Sequence, residues 1–304
     1  MADINPEPGL LQAHRDGGLA RAVERARGML ESCSLCPRRC GVNRLRDERG
    51  FCNSGREIEV SSYAPHFGEE RPLVGRGGSG TIFLTHCNLG CLFCQNWSIS
   101  HGAEGSPVTP ERLAGMMLEL QSKGCHNINF VSPTHFVPQI LEALVPAAAG
   151  GLHIPLIYNT GGYDSPETLA LLEGIFDIYM PDTKFVDGET AETYAQAPDY
   201  PRVIKAALRE MHRQVGDLVI DRSGIARRGL LVRHLVLPDD LAGTERTMRF
   251  LAEEISPATY VNVMAQYHPR GRIPPGSPLA RQISSTEYER ALTATRAAGL
   301  TRLD

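Results

Sequence analysis

Three cysteines with the spacing C-x3-C-x2-C, in the run Cys87-Asn-Leu-Gly-Cys91-Leu-Phe93-Cys94, are the residues of this chain best suited to redox chemistry. A cubane iron–sulfur cluster takes four ligands, so three thiolates leave one iron open. An open iron can bind a small molecule and pass an electron to it. The run follows Thr81-Ile-Phe-Leu-Thr85, which is rich in β-branched residues and reads as a strand starting at Gly80. The cysteines then fall on the loop at its C-terminal end. A zinc site completed by His86 or His101 is the alternative, although zinc ligands more often come as two C-x2-C pairs or a Cys/His pair.

A second set, Cys33-x2-Cys36-Pro-x2-Cys40-x11-Cys52, supplies four thiolates. It suits a second 4Fe–4S cluster or a structural zinc. The tight triplet with one distant cysteine, and the proline after Cys36, lean toward iron–sulfur. Arg38, Arg39, Arg44 and Arg46 would screen an anionic cluster or simply solvate the segment. The remaining cysteine, Cys125, precedes the second expected strand and reads as core packing. Eight cysteines in a chain whose start lacks the charged and apolar regions of a signal peptide point to metal chemistry rather than disulfides. The expected compartment is the cytoplasm.

These loops need a scaffold, and the 304 residues, 42% apolar, are enough for one large α/β domain with a small extra module. From residue 80 onward strand-like and helix-like stretches alternate. Strands are expected at 80–86, 127–132, 153–159, 175–181, 229–237 and 259–266. Thr109-Pro110-Glu111 reads as a helix cap with an acidic first turn. Tyr200, Val203, Ile204, Ala207, Leu208, Met211 and Val215 form a helical stripe. Ser284-Ser-Thr-Glu287 reads as a capping box opening a last helix that Gly299 closes. A shorter helix is expected at 18–31, with Leu19, Val23, Ala26 and Leu30 on one side. Repeated strand–helix units imply a parallel sheet with right-handed crossovers. Six of them fit a partial (β/α)6 barrel, whose functional residues gather at the C-terminal strand ends. The division expected is an N-terminal helix and cysteine-rich segment (1–60), the partial barrel (61–275) and a C-terminal helix (276–304). A net charge of −4 and the lack of a basic block argue against a nucleic-acid partner. No apolar run approaches the ~20 residues of a membrane span.

A three-cysteine loop after a first strand, with Phe93 before the third cysteine, resembles the radical S-adenosylmethionine (radical SAM) superfamily. Within it, residues 80–270 resemble the pyruvate formate-lyase activating enzymes. Tyr158-Asn159-Thr160-Gly161-Gly162 is similar to their D-T-N-G turn, Met180-Pro-Asp182-Thr-Lys184 keeps their D-x-K pattern, Arg233 lies in Leu231-Val-Arg233-His234, and Gln266-Tyr267-His268-Pro269 is similar to their P-Y-H segment. The N-terminal cysteines, His66-Phe-Gly-Glu69-Glu70 and Cys94-Gln-Asn96-Trp97 look more like the PflX-like branch. The resemblance implies a 4Fe–4S cluster on Cys87, Cys91 and Cys94 that cleaves S-adenosylmethionine to a 5′-deoxyadenosyl radical, and an external electron donor of flavodoxin or ferredoxin type. It also implies that Phe93 covers the cluster or the adenine edge and that Lys184, Arg233 and His268 contact the cofactor. Asn159, Thr160, Met180 and Asp182 occupy positions that line a monovalent-cation site in the activases, with Asn159 lacking the activases' aspartate charge.

One departure stands out. The second strand of the superfamily usually ends in a Gly-Gly-Glu-like motif for the cofactor's amino group. Here it ends Asn129-Phe-Val-Ser132-Pro-Thr134-His135, so Ser132 and Thr134 can accept from an ammonium but bring no carboxylate. His135 is the residue expected to replace it or to face the substrate. The 28 residues from Cys52 to Gly80 are long enough for the piece with His66, Glu69 and Glu70 to fold over the barrel mouth. A narrowed mouth suits a small molecule or a short peptide, whereas the activase resemblance suits a glycyl-radical protein. A non-catalytic iron–sulfur or zinc binding protein is the reading of a different class.

Overall fold

The computed structural model describes residues 7–304. Its strands are β1 (Ile58–His66), β2 (Ser79–Leu84), β3 (Ser106–Val108), β4 (Ile128–Val131), β5 (Leu156–Thr160), β6 (Ile178–Thr183), β7 (Val219–Ile220), β8 (Ala226–Leu235) and β9 (Tyr260–Met264). Strands β2, β4, β5, β6, β8 and β9 pair in parallel in that order. They are the six expected strands, and they form a partial (β/α)6 barrel preceded by the cysteine-rich extension. The apolar pattern fixes their direction. Ile82, Ile128, Phe130, Leu156 and Ile178 are fully buried, as parallel strands with helices on one side and a filled interior require.

The helices obey the same logic. Thr109 caps Pro110–Ser122 by accepting from the Arg112 N–H. All seven residues of the 200–215 stripe are buried in Tyr200–Val215. Ser284 and Glu287 form the capping box of Ser285–Ala297, and Gly299 follows at φ 89°. Near the N-terminus the helix is Gly18–Gly28, preceded by a helix at Gly9–Arg15 that the sequence reading missed. Both pack on Val137–Ala149, and Leu10, Leu19, Ala22 and Ala26 join the main core. Among the described residues no helix is long and apolar enough to cross a membrane.

The stretch before the first barrel strand departs from the expected irregular approach. β1 runs antiparallel to β2, and β3 adds to β1. Alternation in Ile58-Glu-Val60 buries Ile58 and Val60, a strand signal that the later Gly and Pro residues mask. After β1 the chain turns inward. Leu73, on the short helix Arg71–Val74, packs with Ile157, Ile178, Met180, Leu218, Ala226, Leu231 and Tyr260 as an apolar floor inside the barrel. β2 and β9 share no ladder, so the arc is open between them. The segment 67–74 lies on that side, with Glu69 and Glu70 in the cavity wall, and Asp304 meets it there. Asp304 accepts from the Arg71 backbone N–H (3.2 Å) and the Tyr260 hydroxyl (3.0 Å).

Candidate active site

Strand β2 ends at Leu84, and the chain then turns through Thr85 and His86 into the cysteine loop. Cys87, Cys91 and Cys94 all line one cavity of about 370 Å³ at the C-terminal strand ends. The Leu89 N–H donates to Cys87 Sγ (3.4 Å), and Ser100 Oγ lies 3.1 Å from Cys94 Sγ. Burial pushes the Cys87 thiol up to about 11 and the Cys91 thiol up to about 12. A metal must therefore displace their protons to bind them. Among the described residues no three His, Cys, Asp or Glu side chains are gathered to hold a metal ion. The fit to a cluster rests on three soft donors sharing one cavity wall, with an N–H donor aimed at one of the sulfurs. Phe93 is buried beside them, with its ring edge-on to Phe185 and Tyr267.

Behind the thiols lies a network of buried charges. Asp182, near the end of β6, accepts from Lys184 Nζ and Arg233 Nε, each at 2.7 Å. Arg233, on β8, also donates to Asn159 Oδ1 (2.7 Å) and approaches Glu69 Oε2 at 3.4 Å. Burial alone would raise the Asp182 pKa, but the two cations hold it below its usual value. For Lys184 burial works against the charge, and Asp182 together with Cys91 reverses the shift to a net rise. Glu69 moves the other way, raised by burial more than Arg233 lowers it. The wall thus keeps fixed, fully charged cations next to the cysteine loop.

Of the expected cofactor residues, Phe93, Ser132, Asn159, Thr160, Asp182, Lys184 and Arg233 line this cavity. Ser132 adopts φ 57°, a conformation that non-glycine residues seldom take. Two expectations are corrected. Thr134 is buried outside the wall, where its hydroxyl donates to Asp164 (2.7 Å) alongside those of Tyr158 and Thr160. A buried carboxylate needs these donors, which commits Thr134 to the core. His268 is exposed, with Nδ1 2.7 Å from Gln282, while its neighbours Gln266 and Tyr267 face the cavity wall and Phe93. His135 does not face the cavity either. It lies under the cysteine-rich extension, with Nε2 2.8 Å from the Thr85 carbonyl oxygen, and burial pushes it down to about 3. The sequence reading did not single out Asn129 and Asn262. Their side chains donate to Glu69 (3.1 Å) and Glu70 (2.9 Å), and their only signal is a polar residue at an inward strand position.

Cys33, Cys36, Cys40 and Cys52 line a single small cavity with Arg38, Arg44 and His135 among its neighbours. Burial pushes Cys36 up to about 12. Arg38 stacks on Phe51 (3.5 Å to the ring centre), and its Nε donates to the Asn88 carbonyl, inside the other cysteine loop (3.1 Å). Arg44 is 1% exposed and donates to the Gly55 and His135 carbonyls at 2.5–3.0 Å. Removing it leaves those acceptors buried and unpaired. Arg44→Ala should therefore destabilise the fold by about 3 kcal/mol or more, read from anaerobic denaturant unfolding. Cys125 is buried in the main core, as expected of a packing residue.

Residues 81–223 match the family model described as the radical SAM superfamily. The chain is 33% identical over 280 residues to the uncharacterized protein MJ0674 of Methanocaldococcus jannaschii, covering 89% of this chain and 76% of that one. A radical SAM methyltransferase from Sphaerobacter thermophilus is similar in structure at TM-score 0.48 and 15% identity, over 74% of this chain and 65% of that chain. A domain of pyruvate-formate lyase-activating enzyme from Bacteroides vulgatus is similar at TM-score 0.37 and 12% identity, over 64% of this chain and 89% of that chain. The family match spans the cysteine loop and β6 with Asp182 and Lys184 and stops before Arg233, and the chain belongs to the radical SAM superfamily, whose members are S-adenosylmethionine-cleaving radical enzymes.

Proposed function

We propose that this enzyme carries a 4Fe–4S cluster on Cys87, Cys91 and Cys94 and abstracts a hydrogen atom from a small molecule or a short flexible peptide. The observation that carries the reading is the shared wall, with three thiols and the Lys184–Asp182–Arg233 network lining one cavity. When bound, the cluster supplies one electron to the sulfonium of S-adenosylmethionine, which parts into methionine and a 5′-deoxyadenosyl radical. Lys184 and Arg233 supply fixed N–H donors for the cofactor's carboxylate, which Asp182 keeps charged and oriented. Ser132 offers an acceptor to its ammonium, and Phe93 shields the loop from water. The electron comes from an external flavodoxin- or ferredoxin-type donor, in the cytoplasm. His66, Glu69 and Glu70 line the chamber and narrow it, which supports a small substrate over a folded glycyl-radical partner.

Anaerobic incubation with dithionite and S-adenosylmethionine tests the reading. It stands if 5′-deoxyadenosine is released and falls if a fully loaded protein releases none. Deuterium transfer to that product from a labelled glycyl-loop peptide would point to an activase instead. The Cys33, Cys36, Cys40 and Cys52 set is proposed to hold a second cluster. Reconstituted protein should then carry about eight irons, halved when the three barrel cysteines are replaced. Stoichiometric zinc with about four irons would make the set a structural zinc site.

A further inference from the structure

We propose that Glu69 and Glu70 form a receptor for a cationic group, an alkylammonium or a guanidinium, carried by a small-molecule substrate. This rests on assigning the cysteine end of the cavity to S-adenosylmethionine, as above. Both carboxylates line the central cavity, and both also line a second, more open cavity of about 450 Å³ beside β9. Asn262, Gln266, Tyr288 and Asp304 are part of the second wall, which includes no cysteine and none of the residues expected to grip the cofactor. The pair therefore stands where the reaction chamber adjoins the side of the barrel, with Glu69 3.4 Å from Arg233.

The charges point the same way. The chamber wall carries three carboxylates, Glu69, Glu70 and Asp182, against two permanent cations, Lys184 and Arg233. Its other titratable side chains, apart from the thiols, are His66, His86 and His101. Asp182 takes a full hydrogen bond from each cation, and Arg233 reaches Glu69 only at 3.4 Å. Glu70 is 3% exposed, and one of its oxygens accepts from Asn262 while the other is buried with no partner. That orphan oxygen is an acceptor on the wall of both cavities, and a buried acceptor without a donor is costly. An ammonium or guanidinium brings several N–H donors and the missing positive charge. A hydroxyl brings one donor and no charge, and a carboxylate would be repelled. Burial raises Glu69, so an arriving cation also restores the charge that the low dielectric disfavours.

The test is anaerobic titration calorimetry on the reconstituted protein with S-adenosylmethionine present, at neutral pH. The probes are n-pentylamine, n-pentylguanidine, 1-pentanol and pentanoate. The two cations should bind at least about tenfold more tightly than the alcohol or the acid, and Glu70→Gln should weaken them about tenfold. Glu69→Gln provides an independent measurement if Glu70→Gln does not fold. Equal binding of amine and alcohol would overturn the proposal, as would absent cation binding in protein that cleaves S-adenosylmethionine. It also falls if the Gln variants lose cofactor affinity while amine binding persists, because the carboxylates would then serve the cofactor. Cofactor cleavage by the wild-type protein reports on the underlying assignment separately.

Discussion

Cys91→Ala should reduce 5′-deoxyadenosine formation to the level of buffer alone. Cys91 is the middle cysteine of the three and the most buried of them, set in the loop beside Lys184. Without it two thiolates remain, too few to hold a site-differentiated cubane. The substitution removes one small buried atom, so the barrel should persist, and circular dichroism should match the wild type. Iron bound by the N-terminal set should also remain, at about four per chain if that set holds a cluster. Residual cofactor cleavage in this variant would mean that the electron reaches the sulfonium from elsewhere, and the assignment of the loop would be wrong.

Asp182→Ala should be the most destabilising single change in the chamber. It strands Lys184 and Arg233 beside each other with their shared counter-ion gone. Breaking a buried ion pair from one side costs roughly 3–5 kcal/mol, because the orphaned charge keeps its desolvation penalty. Arg233 retains Asn159 and the longer contact to Glu69, so Lys184 bears most of the loss. Asp182→Asn keeps the shape and an acceptor and should cost less. Anaerobic denaturant unfolding measures both. A loss below about 1 kcal/mol for Asp182→Ala would mean that water enters the network and that the cations are not held in place.

The barrel was legible because its six strands are short stretches rich in β-branched and aromatic residues that alternate with helical stripes, and because the caps at Thr109 and Ser284 are local signals. The cysteine loop stood out because its three cysteines fall within eight consecutive residues, and the structure brings all three to one cavity wall. What escaped depends on distance along the chain. The strand Ile58–His66 has a clear pattern for only three residues, and its pairing with β2 decides it. Thr134 and Ser132 sit two positions apart and look alike in sequence, yet only the distant Asp164 draws Thr134 into the core. His268 follows a matching motif but lies beyond the last strand residue. Glu69 and Glu70 were noticed for their charge, but their destination is set by Asn129, Arg233 and Asn262, on three separate strands.

The margins of the sheet carry one more consequence. β3, three residues long with Pro107 at its centre, ends the sheet on one side, and β9, which pairs only with β8, is bridged by Leu303 along its outer side. Proline lacks the amide hydrogen that a further strand would need, and the Val261 N–H is already spent on the Arg302 carbonyl. At β3 and β9 another polypeptide finds little ladder to extend. A protein that docks at either place must therefore be recognised by side chains and surface shape, and its affinity should respond to salt and to surface substitutions rather than to backbone methylation of the partner.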